Sequence, residues 1–174
     1  MSGVNVMRMK DVIISVTGVQ QGVNGPDAME LVTAGQYGQD EKETLLTWQE
    51  SELTGLEGTL TTFQIEPERI TLMRVGGFNS QMVFQEGRRH LSMYNTPYGA
   101  MAIGVNTRHL LAELDDQGGE IEIDYAIEID HSVAGRNTFQ INVKEAEGAA
   151  GLQDQAQVRI FRLELLQNAD QLIA

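Results

Sequence analysis

The chain has 174 residues, with 12 Lys and Arg against 25 Asp and Glu, a formal net charge of −13. Nucleic-acid binding depends on clustered cations that neutralise phosphates, and the one basic run, Arg88-Arg89-His90, argues against nucleic acid and against an anionic membrane surface as partner. Cys is absent, which removes disulfides, thiolate zinc sites and a cysteine nucleophile. A chain of this length can bury about 70% of its surface and build a core without covalent staples. Met1 to Lys10 holds no apolar run of signal-peptide length, and no stretch approaches the roughly 18 apolar residues of a membrane span. The expectation is a soluble cytoplasmic protein.

In chain order, the dominant hydrophobic period is two. Val12, Ile14 and Val16 alternate with Ile13, Ser15 and Thr17, which predicts a first strand over 9–17. Asn24-Gly25-Pro26-Asp27 breaks the chain before candidate strands at 29–37, 43–53 and 58–66. Glu66-Pro67-Glu68-Arg69 places Pro where a type I turn accepts it. Strands at 69–75, 80–86, 88–95 and 98–108 follow, separated by breakers such as Gly76-Gly77 and Glu86-Gly87. The strongest alternation runs from Ile121 to Asp130, apolar at every odd position and acidic at every even one except Ala126. It predicts a long strand over 119–131, one face in the core and one in water. Gly118-Gly119 and Gly135-Arg136-Asn137 offer the backbone freedom of tight hairpins, and Phe139, Ile141 and Val143 mark a last strand over 137–145.

Short connections force antiparallel neighbours, and nothing between residues 9 and 145 reads as a crossover helix. The expected fold is all-β, an antiparallel meander closed into a barrel of about eight to ten strands. A two-sheet sandwich is the competitor. Residues 9–147 form the expected barrel domain and 148–174 a linker with a short amphipathic extension. Val158, Phe161, Leu165 and Leu172 lie near helical spacing, which predicts a short C-terminal helix.

Tyr94-Asn95-Thr96-Pro97-Tyr98-Gly99, together with Arg74-Val75-Gly76, Met82-Val83-Phe84 and Thr107, resembles the bacterial YwiB-like family of unknown function. The resemblance spans about Asp11 to Glu145 and implies a lipocalin-like (calycin) β-barrel, without implying an activity. Trp48-Gln49-Glu50 stands where the family has an aromatic-x-acid pair, with Trp in a place where Tyr is common.

The three histidines, His90, His109 and His131, lack the spacing of a zinc site, and no nucleophile elbow or phosphate loop is present. No catalytic residue, metal or cofactor is therefore expected. The interior is more informative. With Trp48 inward, period two turns Leu46, Glu50 and Glu52 inward; with Ile70 and Leu72 inward, Arg74 follows. An Arg74–Glu50 ion pair is the expected way to bury both charges. Met82, Met93 and Met101 should also face inward, with Phe84, Ile103 and Tyr125. The candidate ligand-binding residues are Trp48, Glu50, Arg74, Met82, Tyr94, Thr96, Tyr98 and Tyr125. Two readings follow: a barrel that binds a small, partly apolar or anionic ligand, or a structural or protein-interaction barrel with a filled core, with a homodimer as a further expectation. An enzyme is the weakest reading.

Overall fold

Alternating apolar and polar residues, broken by turn formers, leave this chain one economical solution: strands that share one wet face and one dry face. The computed structural model describes residues 7–22, 25–146 and 157–160. Ten strands follow one another: β1 (Lys10–Gly22), β2 (Gly25–Gln39), β3 (Thr44–Gln49), β4 (Thr59–Glu66), β5 (Arg69–Gly76), β6 (Ser80–Phe84), β7 (Arg89–Thr96), β8 (Gly99–Asp115), β9 (Gly118–Ile129) and β10 (Ser132–Glu145). Each pairs antiparallel with its neighbour in sequence, and β1 pairs with both β2 and β10. The sheet is thereby a closed antiparallel barrel, the tighter of the two architectures that the alternation allowed. Among the described residues the only helical element is a 3-10 turn at Glu52–Thr54, so no helix is long and apolar enough to cross a membrane.

The walls are uneven. β8 and β9 share a long ladder, with a bulge at Arg108 that shifts the register between Thr107 and His109. β6 and β7 have a single registered pair, Ser80 opposite Tyr94. β2 pairs with β3 only from Gln36 to Gln39, and an eleventh strand, β11 (Gln157–Ile160), lies along Met29–Val32 of β2. The expected C-terminal helix is corrected over this stretch: Val158 to Ile160 is strand, because it finds an open edge whose backbone groups need partners. The rest of that helix and the linker that begins at 148 lie outside the described residues.

One hairpin differs from the sequence reading. The β9–β10 turn is made by Asp130 and His131, both with positive φ (51° and 65°), the geometry of a primed two-residue turn. Gly135-Arg136-Asn137 is not a turn but part of β10, beside a bulge between Val133 and Gly135. Gly35 marks a close approach: a Cβ there would lie 2.4 Å from Ile14 Cδ1 and 2.5 Å from the Thr47 carbonyl.

Period two segregates the walls. Val12, Ile14 and Val16 of β1 meet Leu46, Phe63, Ile65, Ile70, Phe84, Val105, Ile121, Ile123, Ile141 and Val143 in one buried core. Tyr37 joins it fully buried, and its hydroxyl donates to the Asp115 carbonyl across the barrel end. Burial, with added repulsion from the Asp115 and Asp116 charges, pushes the Tyr37 phenol up from the ordinary 10 to about 12.

Two outcomes follow from this architecture. Ending the chain after Glu147 should leave a cooperatively folding barrel, because β1–β10 pairing closes it without β11; loss of cooperative urea unfolding would show that the tail is part of the core. For Tyr37, the unfolded phenol ionises near 10 while the folded one holds its proton to about 12. Its stabilisation is therefore complete below pH 10 and is lost as pH rises towards 12. Tyr37→Phe should be less stable at neutral pH by about 0.5–1.5 kcal/mol. It should also lose less stability than the wild type across that alkaline window, as urea unfolding at several pH values would show.

Candidate functional site

The inward positions change character along the barrel. On β1 they run Val12, Ile14, Val16, Gly18; on β10, opposite them, Val143, Ile141, Phe139. Branched side chains fill one end, while Gly18 and, further along β10, Gly135 leave the other end underfilled. The result is a cavity of about 160 Å³ towards the end carrying the β1–β2, β3–β4, β5–β6, β7–β8 and β9–β10 connections. Its wall is largely apolar, with Met29, Leu72, Met82, Ile103, Ile127 and Phe139 among the lining residues. The polar groups are few: Gln20, Arg74, Tyr94, Tyr125, Asn137 and Thr138. Arg74 is the one charged residue of the lining, which holds no carboxylate among the described residues.

An inward ring at one level sets the chemistry. Register places Trp48 opposite Thr61, Thr61 opposite Arg74, Arg74 opposite Ser80, Ser80 opposite Tyr94 and Tyr94 opposite Met101. Tyr125 is buried between Phe84 and Phe139, with ring centroids 4.8 and 5.7 Å away. Burial raises its phenol well above the ordinary range, offset in part by the Arg74 charge and by a hydrogen bond with Asn137. The hydroxyl therefore stays a neutral donor or acceptor at the cavity wall.

The expected Arg74–Glu50 ion pair does not form. Glu50 is buried, but it accepts from Trp48 Nε1 at 3.0 Å, Thr61 Oγ1 at 2.7 Å and Thr54 Oγ1 at 2.8 Å. The 3-10 turn that follows β3 brings Thr54 round to this carboxylate. Three neutral donors thus satisfy the acid without a cation. Among the described residues Arg74 is left with its Nε buried and without a hydrogen-bond partner, as is the hydroxyl of Ser80 on the adjacent strand.

Of the residues singled out by sequence, Arg74, Met82, Tyr94 and Tyr125 come together around the cavity. Trp48 and Glu50 face inward but form a sealed cluster beside it, with Trp48 stacked on Phe63 at 5.7 Å. Glu52 is exposed in the 3-10 turn, because β3 ends at Gln49 and period two ends with it. Met93 is corrected to the outer face at 59% exposure, since Ser92 and Tyr94 take the inward positions of β7. Tyr98 is 91% exposed in the β7–β8 turn and does not line the cavity, and Thr96 ends β7 opposite Gly99. Ile127, Ile129 and Phe139, which the alternation of β9 and β10 already places on the inward face, also line the cavity without having been singled out as ligand-binding, and Asn137 lies two residues before Phe139 on the same face. Among the described residues no cluster of His, Asp and Glu is placed to hold a metal ion. His109 lies on the outer wall, 3.6 Å from Glu86 and 3.8 Å from Glu122.

Comparison with known proteins agrees with this architecture. Residues 14–141 match the family model described as a domain of unknown function, DUF1934. The fold is also similar to the crystal structure of the ywiB protein from Bacillus subtilis, with a TM-score of 0.72 at 19% identity. That match covers 82% of this chain and 97% of the other. No curated protein matches the chain.

The two inward charges should respond differently to substitution. Thr61→Val removes a donor from the buried Glu50 and should cost about 1.5–3 kcal/mol. Arg74→Met removes a cation whose buried Nε has no hydrogen-bond partner among the described residues, and should leave stability within about 1 kcal/mol of the wild type or raise it. Urea unfolding of both variants checks the contrast; a large loss for Arg74→Met would reveal a structural partner.

Proposed function

The chain belongs to the DUF1934 family, and from that premise we propose that it is a binding barrel for a small, partly apolar molecule held inside its underfilled end. The observation that carries this reading is the cavity: about 160 Å³, apolar on most of its wall, with a few convergent polar groups. An apolar void of roughly 150 Å³ inside a protein is large enough for benzene. A purely structural barrel would gain stability by filling that space, since residual voids cost packing contacts. Gly18 faces the space where Val16 and Ile14 fill it further down the same strand. The absence of Cys suits a reducing compartment, and we take the cytoplasm as its place of work.

A wall substitution tests the reading. A Cβ on Gly18 would meet Phe139 at 3.6 Å, an ordinary contact, so Gly18→Leu can be accommodated and should fill the cavity. Native mass spectrometry of freshly purified protein should show a retained small-molecule mass, or saturable uptake of added hexanoate or hexanamide. Both should be lost in Gly18→Leu while its circular dichroism stays that of a β-barrel. A wild type that retains nothing and takes up neither probe would favour the filled structural barrel.

A further inference from the structure

Resting on that reading of the cavity, we propose that its ligand is a monocarboxylate, with its charge at Arg74 and an apolar body about the size of a benzene ring. A guanidinium is a cation that offers only N–H donors. It stands in an apolar wall that supplies no carboxylate among the described residues, in a chain with 25 acidic residues to place there. The nearest inward acid, Glu50, is committed to Trp48, Thr54 and Thr61. Thr61, which flanks Arg74 on β4, donates its hydroxyl proton to Glu50 and does not accept from Arg74 Nε. On the other flank Ser80 has a buried hydroxyl with no partner among the described residues, next to an Arg74 Nε in the same condition. Buried polar groups are nearly always satisfied, and a buried cation more stringently so. Of these two, Arg74 is in the cavity wall, and its charged, orphaned donor fits an acceptor that enters from the cavity.

The chemistry of that acceptor follows from the count of charges. One guanidinium balances one negative charge, and its planar fork matches a carboxylate. A phosphate monoester would bring close to two charges at neutral pH into a wall with a single cation. The apolar remainder of the wall, Leu72, Met82, Ile103, Ile127 and Phe139, suits a hydrocarbon or aromatic body. The volume of about 160 Å³ sets its size near that of benzene.

Calorimetric titration of the full chain distinguishes the arms. The probes are benzoate, its neutral near-isostere benzamide, the pair hexanoate and hexanamide, and phenyl phosphate. The expected result is that each acid binds roughly tenfold to a hundredfold more tightly than its amide. That preference should vanish in Arg74→Met, where each acid should lose more affinity than its amide. The wild-type comparison decides the matter even if the variant folds poorly. Amides that bind as tightly as acids would overturn the carboxylate and leave the cavity as a binding site. Phenyl phosphate binding more tightly than benzoate would overturn it in favour of a dianion. If none of the probes binds, the reading of the cavity as a ligand site falls with it.

Discussion

Each strand of this protein owes its dry face to the pairing of β1 with both β2 and β10. Ten sequential antiparallel strands bring the last beside the first in the correct direction, so that one further ladder removes both free edges. Closure creates an inside, and the inside makes alternation meaningful. Ile121, Ile123 and Tyr125 are buried because the barrel curves round them, while Glu122, Asp124 and Glu128 keep more contact with water on the convex side. The acidic surface thus shares its strands with the core, alternating residue by residue.

The same closure forces a decision at every inward position: fill the space or leave it. At the end where β1 begins, Val12 and Ile14 pack with Val143 and Ile141, and Tyr37 seals the end through its bond to Asp115. At the other end glycine replaces branched residues, and the wall retreats from the axis. A cavity here is the geometric remainder of a graded series of side-chain volumes, not of a loop or a domain cleft.

Between the two ends lies a division of polar labour. Glu50 is satisfied by an indole and two threonine hydroxyls, and so is a closed structural unit. Arg74, one strand beyond Thr61, is not. Had the two charges paired, the barrel would have an internal ion pair and an electrically neutral wall. Their separation leaves the cavity with one cation, and its electrostatic character follows from the hydrogen-bonding capacity of Thr54 and Thr61.

Ten strands were legible because period two and turn residues are local properties, and local properties survive without tertiary context. The inward placement of Arg74, Met82 and Tyr125 followed from the same alternation. Alternation failed where the backbone left the strand: at Glu52, past the end of β3, and at the β9–β10 hairpin, which turns through Asp130 and His131 without glycine. It also cannot choose which of two faces is inward when both carry apolar residues, as on β7, where Leu91 and Met93 face out and Ser92 and Tyr94 in. By itself, then, the sequence determined an all-β meander long enough to close and a set of inward residues. Only the tertiary structure decided which of those residues meet. Partner choice depends on register between strands, and register places Thr61 between Trp48 and Arg74, where its hydroxyl donates to Glu50 while Arg74 stands in the cavity wall.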